Sequence, residues 1–320
     1  MIQAYISIIA GFALLTFGAD RFVEGAAVSA RNFGIPPLLV GLTIVGFATS
    51  APEMLVAAVA SLNGNPALAV GNAIGSNIAN IGLVLGVTAL ILPLHVKSRV
   101  LVREFPIMFL CIGLGLMLCL DGFLGFSDGV LLLLGLVGLM AVTTWLGMTD
   151  LDNDSLGNEM KSHLNRKMST ARALMWLVAG LVLLLVGSNI LVDGAVAVAE
   201  FYGVSDLAIG LTIVAIGTSL PELAASVASA LKGEPDIALG NVIGSNMFNV
   251  LGVLGVPALL HPTPLESAVL SRDFPVMIGL SFVLLVMASS WRHSGRVSRI
   301  EGICLLSAFG VYQWLLYVSS

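Results

Sequence analysis

Residues 41–53 read GLTIVGFATSAPE and residues 210–222 read GLTIVAIGTSLPE, so one stretch of chain is written twice. The first copy continues through GNAIGSNIANIGLVLG to Gly86, the second through GNVIGSNMFNVLGVLG to Gly255. Aligned without a gap at a shift of 169, positions 41–91 and 210–260 are identical at 26 of 51 residues. Unrelated apolar segments do not share that much through composition, so the chain is a duplicated unit. The match extends outward: FGADRFVEGA (17–26) corresponds to VGSNILVDGA (186–195), and REFP (103–106) to RDFP (272–275).

Hydrophobic residues make up 58% of the chain and charged ones 10%, with a mean hydropathy of +1.01. That leaves too little polar surface to cover a soluble core, and apolar runs of about twenty residues recur from end to end. A multi-pass integral membrane protein of the all-α class follows, because a bilayer forces backbone polar groups to pair within each segment. Gly, Pro and charge punctuate ten expected spans, at 4–28, 37–61, 67–91, 104–121, 129–149, 173–198, 206–230, 236–260, 273–290 and 298–318. The first run lacks a basic leader and a small-residue cleavage site, and reads as a retained helix. Cys111, Cys119 and Cys304 all lie inside apolar runs, where thiols pack as small hydrophobes.

The duplication divides the chain into a five-helix repeat at 1–149, a cytoplasmic linker at 150–172 and a second five-helix repeat at 173–320. Five is odd, so the second repeat enters the membrane inverted. With the N-terminus outside a cell inner (plasma) membrane, thirteen of the 14 basic residues fall on the cytoplasmic side and only Arg272 outside. Equivalent loop positions have also exchanged character: Arg31 with Glu200, Lys97 with Glu266, Asn63 with Lys232. Asp150, Asp152 and Asp154 imitate the start of an EF-hand loop, but Ser155 and Lys161 stand where Gly and Glu are required, and the segment reads as a solvated linker. Nothing in this charge pattern points to a nucleic acid.

Glu53 and Glu222 sit in mid-span, where an ionised side chain costs at least ~2.5–3.5 kcal/mol. Each follows a proline, Pro52 or Pro221, that cannot donate to the carbonyl four residues back, at Ala48 or Gly217. Each copy thus places a carboxylate, two hydroxyls and freed carbonyls at membrane depth, a set of oxygen donors suited to hard cations such as Ca2+ and Na+. On the next span Asn72, Ser76 and Asn80 recur at intervals of four, as do Asn241, Ser245 and Asn249, so each trio lines one helix face. Gly71 with Gly75, and Gly240 with Gly244, form small-xxx-small patterns that let helices approach. Helix gluing is the simpler reading for Asn72 and Asn77, ion contact for Ser76, Asn80, Ser245 and Asn249. No Ser/His pairing or HExxH motif lies within the spans, which argues against an enzyme, and Pro-broken helices bearing buried carboxylates suit tight sites better than a passive channel.

These paired G-x-TS-x-PE and GN-x-IGSN-x-x-N motifs resemble the two α-repeats of the sodium/calcium exchanger family, within the cation/calcium antiporter group. The resemblance covers essentially the whole chain. It implies ten helices in two inverted five-helix repeats and a secondary antiporter exchanging Ca2+ for Na+ by alternating access; a proton-driven antiporter of Ca2+ or another divalent cation is the alternative. It implies that Glu53 and Glu222, with backbone oxygens of Thr49 and Thr218, hold Ca2+. Ser50, Ser76, Ser219 and Ser245, with the carbonyls of Gly46 and Ala215, would complete flanking Na+ sites, and Asn80 and Asn249 would line the middle. Asn249 departs from the family, where Asp is common, and leaves two formal negative charges in the cluster.

Overall fold

The computed structural model describes residues 2–35, 37–96, 100–150, 168–202, 215–289 and 295–319. Twelve helices run through them: α1 (Ile2–Phe33), α2 (Gly41–Thr49), α3 (Ala51–Leu62), α4 (Pro66–Ile91), α5 (Val102–Cys119), α6 (Phe126–Asp150), α7 (Thr170–Phe201), α8 (Ala215–Thr218), α9 (Leu220–Leu231), α10 (Pro235–Leu260), α11 (Val269–Ala288) and α12 (Arg299–Ser319). Among the described residues eight helices are long and apolar enough to cross a membrane, or nine if α2 and α3, bent by 42°, count as one span. Of the expected span at 206–230, the described part is α8 and α9; residues 206–214 lie outside the described residues, as do 151–167 of the linker, Lys97, Arg99 and Arg292.

The two repeats are inverted. α1 and its equivalent α7 pack antiparallel along their whole length, and glycines spaced by seven make the approach possible. A Cβ on Gly11 would lie 2.7 Å from the Gly187 carbonyl oxygen, and one on Gly18 3.1 Å from that of Gly180. Gly25 faces Ala173 and Leu177, while Gly194, its equivalent, faces Ala4 and Ile8. Each of these glycine contacts therefore has a partner across a pseudo-twofold axis. Lipid tails supply no hydrophobic drive between helices, so this close packing of backbones is what holds the pair. Gly180 abuts the Phe22 backbone. Gly180→Leu, which only adds apolar surface, is expected to cost about 1–3 kcal/mol of stability by overpacking, read as a lowered melting midpoint in detergent.

The motif helices repeat their details at the same shift of 169. Ser50 (φ −81°, ψ 1°) and Ser219 (φ −87°, ψ 3°) break the helix, and Pro52 and Pro221 open the next one. α3 and α9 both end on a left-handed glycine, Gly64 (φ 79°) and Gly233 (φ 76°), where any Cβ would be strained. Asn65 N–H then donates to Ala60 O at 2.8 Å and Glu234 N–H to Ser229 O at 2.9 Å, before Pro66 or Pro235 starts the return helix. Both return helices carry a π-helical turn beginning at the motif asparagine, at Asn80–Leu85 in α4 and Asn249–Val253 in α10. A π-helical turn at Val100–Glu104 leads into α5, and one at Val269–Asp273 opens α11.

One departure from the single shift appears in the last helix. Gly122, Asp128 and Gly129 correspond to Gly295, Glu301 and Gly302, a shift of 173, so the second repeat carries four additional residues before α12. Two short strand pairs outside the spans join the halves: Leu94–His95 with Arg296–Val297, and Phe123–Leu124 with Thr263–Pro264. The buried apolar side chains fall into two clusters, a large one drawn from α2 to α6 and α9 to α12, and a smaller one of α1 and α7 with Val40, Val45, Ala225 and Ile237.

Candidate functional site

Glu53 and Glu222 each stand in the first turn after the helix break, in α3 and α9, and both are fully buried (0% exposed). The two carboxylates lie close enough to repel one another. Hydroxyls of the opposite repeat approach each of them, Thr218 toward Glu53 and Thr49 and Ser50 toward Glu222. No oxygen of either carboxylate, however, closes a hydrogen bond of ordinary geometry among the described residues. The Ser50 and Ser219 hydroxyls, Asn80 Oδ1, and both amide atoms of Asn249 are likewise buried without a partner there. An isolated buried charge costs several kcal/mol, so this concentration of open oxygens is unfavourable unless a cation fills it or the carboxyl groups take up protons. Among the open groups gathered here are carboxylate, hydroxyl and amide oxygens, the donors that hard cations require.

The site is assembled crosswise. α3 packs on the π-turn of α10 and α9 on the π-turn of α4, while α8 packs against α4. α2 lies on α10 at backbone contact: a Cβ on Gly46 would be 3.1 Å from Ser245 N, and one on Gly41 2.7 Å from the Ile237 oxygen. Across this seam Thr49 Oγ1 donates to Asn241 Oδ1 (3.0 Å) or to Val45 O (3.0 Å), and lies 3.4 Å from Ser245 Oγ. Ser245 Oγ in turn reaches the Gly46 carbonyl at 3.4 Å. The two return helices meet where Asn80 Nδ2 donates to Asn246 Oδ1 at 3.2 Å.

Of the residues expected at the site, Glu53, Glu222, Thr49, Ser50, Ser219, Ser76, Ser245, Asn80, Asn249 and Gly46 are buried, and Thr218 is half-buried. Ala215 begins α8. Asn72 and Asn241 act as staples: Asn72 Nδ2 donates to the Glu53 carbonyl (3.3 Å), and Asn241 Nδ2 to the Glu222 carbonyl (3.1 Å) and to Ser226 Oγ (2.8 Å). Asn241→Leu keeps the volume but strands Ser226 and the Glu222 carbonyl. Leaving buried polar groups unpaired costs about 1–3 kcal/mol, so the variant's melting midpoint should fall, with Asn72→Leu affected less because Asn72 is only half-buried.

The freed carbonyls expected at Ala48 and Gly217 are not equivalent. Ser188 Oγ on α7 donates to Gly217 O at 2.8 Å, whereas the equivalent of Ser188 in α1 is Ala19, which has no hydroxyl. The polar Ser188 and Asn189 of the VGSN run, following the apolar stretch 173–186 of α7, are the sequence trace of this bond. Sequence reasoning also passed over Glu104, which is fully buried and paired with Arg103 at 2.9 Å, the counterpart of Arg272 with Asp273 at 2.7 Å. REFP and RDFP mark the two positions.

Comparison with known proteins follows the same outline. The chain is 47% identical over 319 residues to the putative antiporter CaxA of Alkalimonas amylolytica, covering 100% of both chains. It is 41% identical over 319 residues to the inner membrane protein YrbG of Escherichia coli K12, covering 99% of this chain and 98% of that protein. It is similar to the solved structure of the sodium-calcium exchanger NCX_Mj, with a TM-score of 0.83 and 34% identity over 97% of each chain. The family model described as sodium/calcium exchanger protein matches residues 3–147 and 172–318, both halves in turn. The chain belongs to the sodium/calcium exchanger protein family.

Proposed function

We propose that this antiporter exchanges Ca2+ for Na+ across the membrane by alternating access. The observation that carries the reading is the pair Glu53 and Glu222: equivalent positions of inverted repeats, close enough to repel one another, fully buried, without a hydrogen-bond partner among the described residues, and approached by neutral hydroxyls. Their two negative charges match one Ca2+ or two Na+. Glu53 and Glu222 with the Thr49 and Thr218 backbone oxygens hold the divalent ion. Ser50, Ser76, Ser219, Ser245 and the carbonyls of Gly46 and Ala215 take the monovalent ions, and Asn80 and Asn249 line the centre. The 3.4 Å hydroxyl contacts at the Gly46 carbonyl are long enough to be exchanged for a cation at little cost.

The test is Ca2+ uptake into proteoliposomes under an imposed Na+ gradient, repeated with a pH gradient alone. Uptake driven by Na+ supports the reading; uptake driven only by the pH gradient replaces it with proton-coupled exchange of Ca2+ or another divalent cation. In this reading the functional units are residues 1–149 and 173–320 with a cytoplasmic linker at 150–172, in the inner membrane with the N-terminus outside. YrbG, named as an inner membrane protein, supports the location. The orientation is checked with single cysteines at positions 97 and 266, which should label from the cytoplasmic and external faces respectively; labelling from one face overturns the inverted sidedness.

A further inference from the structure

α1 and α7 meet along their glycines and share an apolar cluster that also takes in Val40, Val45, Ala225 and Ile237. Polar links add to this apolar packing against the rest of the molecule. Lys232 Nζ lies 2.7 Å from Asp20 Oδ1, and Arg31 Nη1 lies 3.0 Å from Glu234 Oε1. Both acceptor-donor pairs join the α1 half that leads into α2 to the turn between α9 and α10. That turn is where the seam between α2 and α10 begins, since Gly41 already rests on Ile237 and Gly240. The ion pairs therefore close over the mouth of a seam shut at backbone contact.

The repeat shows what the other face of the molecule has in their place. At the shift of 169, Asp20 and Lys232 correspond to Asn189 and Asn63, and Arg31 and Glu234 to Glu200 and Asn65. Neither equivalent couple can form an ion pair. The third link, from Ser188 to the Gly217 carbonyl, is also absent from its equivalent couple, Ala19 and Ala48. In an inverted-repeat transporter the opposite access state arises when the two halves exchange conformations about the fixed site. Exchange here replaces two ion pairs and one hydrogen bond by amide and apolar contacts.

We propose that Asp20–Lys232 and Arg31–Glu234 form a latch, built on one side of the pseudo-twofold axis only, that holds the α2–α10 seam closed and biases the two access states. The proposal rests on the alternating access read above. The pairs are partly exposed, so each contributes about a two- to fivefold bias, and the effect shrinks as salt rises. Asp20 also lies 3.9 Å from Arg21, which bonds Glu24 at 2.9 Å. Arg21 thus stays paired when Asp20 is changed.

The test reads exposure instead of flux, so it decides the latch even if the chain proves not to carry Ca2+ on Na+. In full-length protein lacking the three native cysteines, Ile237→Cys places a thiol at a fully buried position in the seam. Its labelling rate by a membrane-impermeant maleimide is measured in detergent at low salt. Asp20→Asn and Glu234→Gln are each expected to raise the rate about two- to fivefold, and the double variant to raise it further. The charge swap Asp20→Lys with Lys232→Asp should bring the rate back toward that of the parent. A second protein retaining only Cys111, which is buried in the large cluster, should label no faster in the same variants. Unchanged rates at position 237, a swap that fails to restore, or a parallel rise at Cys111 overturns the proposal.

Discussion

Glu53→Gln and Glu222→Gln are each expected to abolish the proposed Ca2+ transport in proteoliposomes while leaving the protein folded. Glutamine preserves shape and an oxygen donor but removes one of the two formal charges at a site fully closed to water. A divalent ion bound there is left with a net positive charge that the low-dielectric interior cannot screen. Folding should not suffer, because no carboxylate oxygen closes a hydrogen bond that the amide would break. The expected result is uptake at the level of protein-free vesicles for both single variants, with melting midpoints at or above that of the parent in cation-free buffer. Transport near parental levels in either variant removes that carboxylate from the site.

Gly244→Ala should be nearly as damaging, though it adds one methyl group and no charge. The new Cβ runs into the Leu42 carbonyl oxygen and lies 2.9 Å from both Leu42 C and Leu42 Cα. These are backbone atoms and cannot swing aside, so α2 must retreat from α10. Retreat parts Thr49 from Asn241 and Ser245 from the Gly46 carbonyl, all of them on the border of the carboxylate pair. Overpacking of this kind costs about 1–3 kcal/mol, and misplacing a binding group by an ångström costs on the order of 100-fold in rate. Gly138→Ala is the control: a Cβ there meets nothing within 4 Å, and alanine is the better helix former. Both variants are compared by initial rate of uptake and by melting midpoint. Equal rates show that the seam does not position the site.

The duplicated motif made most of the fold legible. A repeat with an odd number of spans must invert, and the antiparallel packing of α1 on α7 is what inversion looks like. Glu53 and Glu222 were legible for an energetic reason: a carboxylate after a proline in an apolar span has no cheap structural explanation. The pairing of elements was less so. Spacing places Ser245 and Asn241 on one face of α10, but it does not reveal that α2, some two hundred residues earlier, lies against that face. Hydrophobic periodicity is silent on the π-turns at Asn80 and Asn249, because one added residue changes which side chains turn inward without changing composition. The Ser188 bond depended on knowing which helix would cover the Gly217 carbonyl. The shift from 169 to 173 lies in a stretch too weakly matched to be aligned by eye, and shows only once Gly122 and Gly295 occupy the same turn.

The heptad glycines of α1 and α7 carry an implication for assembly. Gly11 meets Gly187 and Gly18 meets Gly180, and these four are two residues and their own repeat equivalents with roles exchanged. That is the arrangement of an isologous interface, in which one surface patch is complementary to itself after a half-turn. Each repeat therefore carries on its first helix a face that fits another such repeat inserted in the opposite sense. Covalent linkage sets the ratio and sidedness of the two halves; it does not create their fit. Produced as separate chains, the halves should find each other in the bilayer through this ridge of glycines.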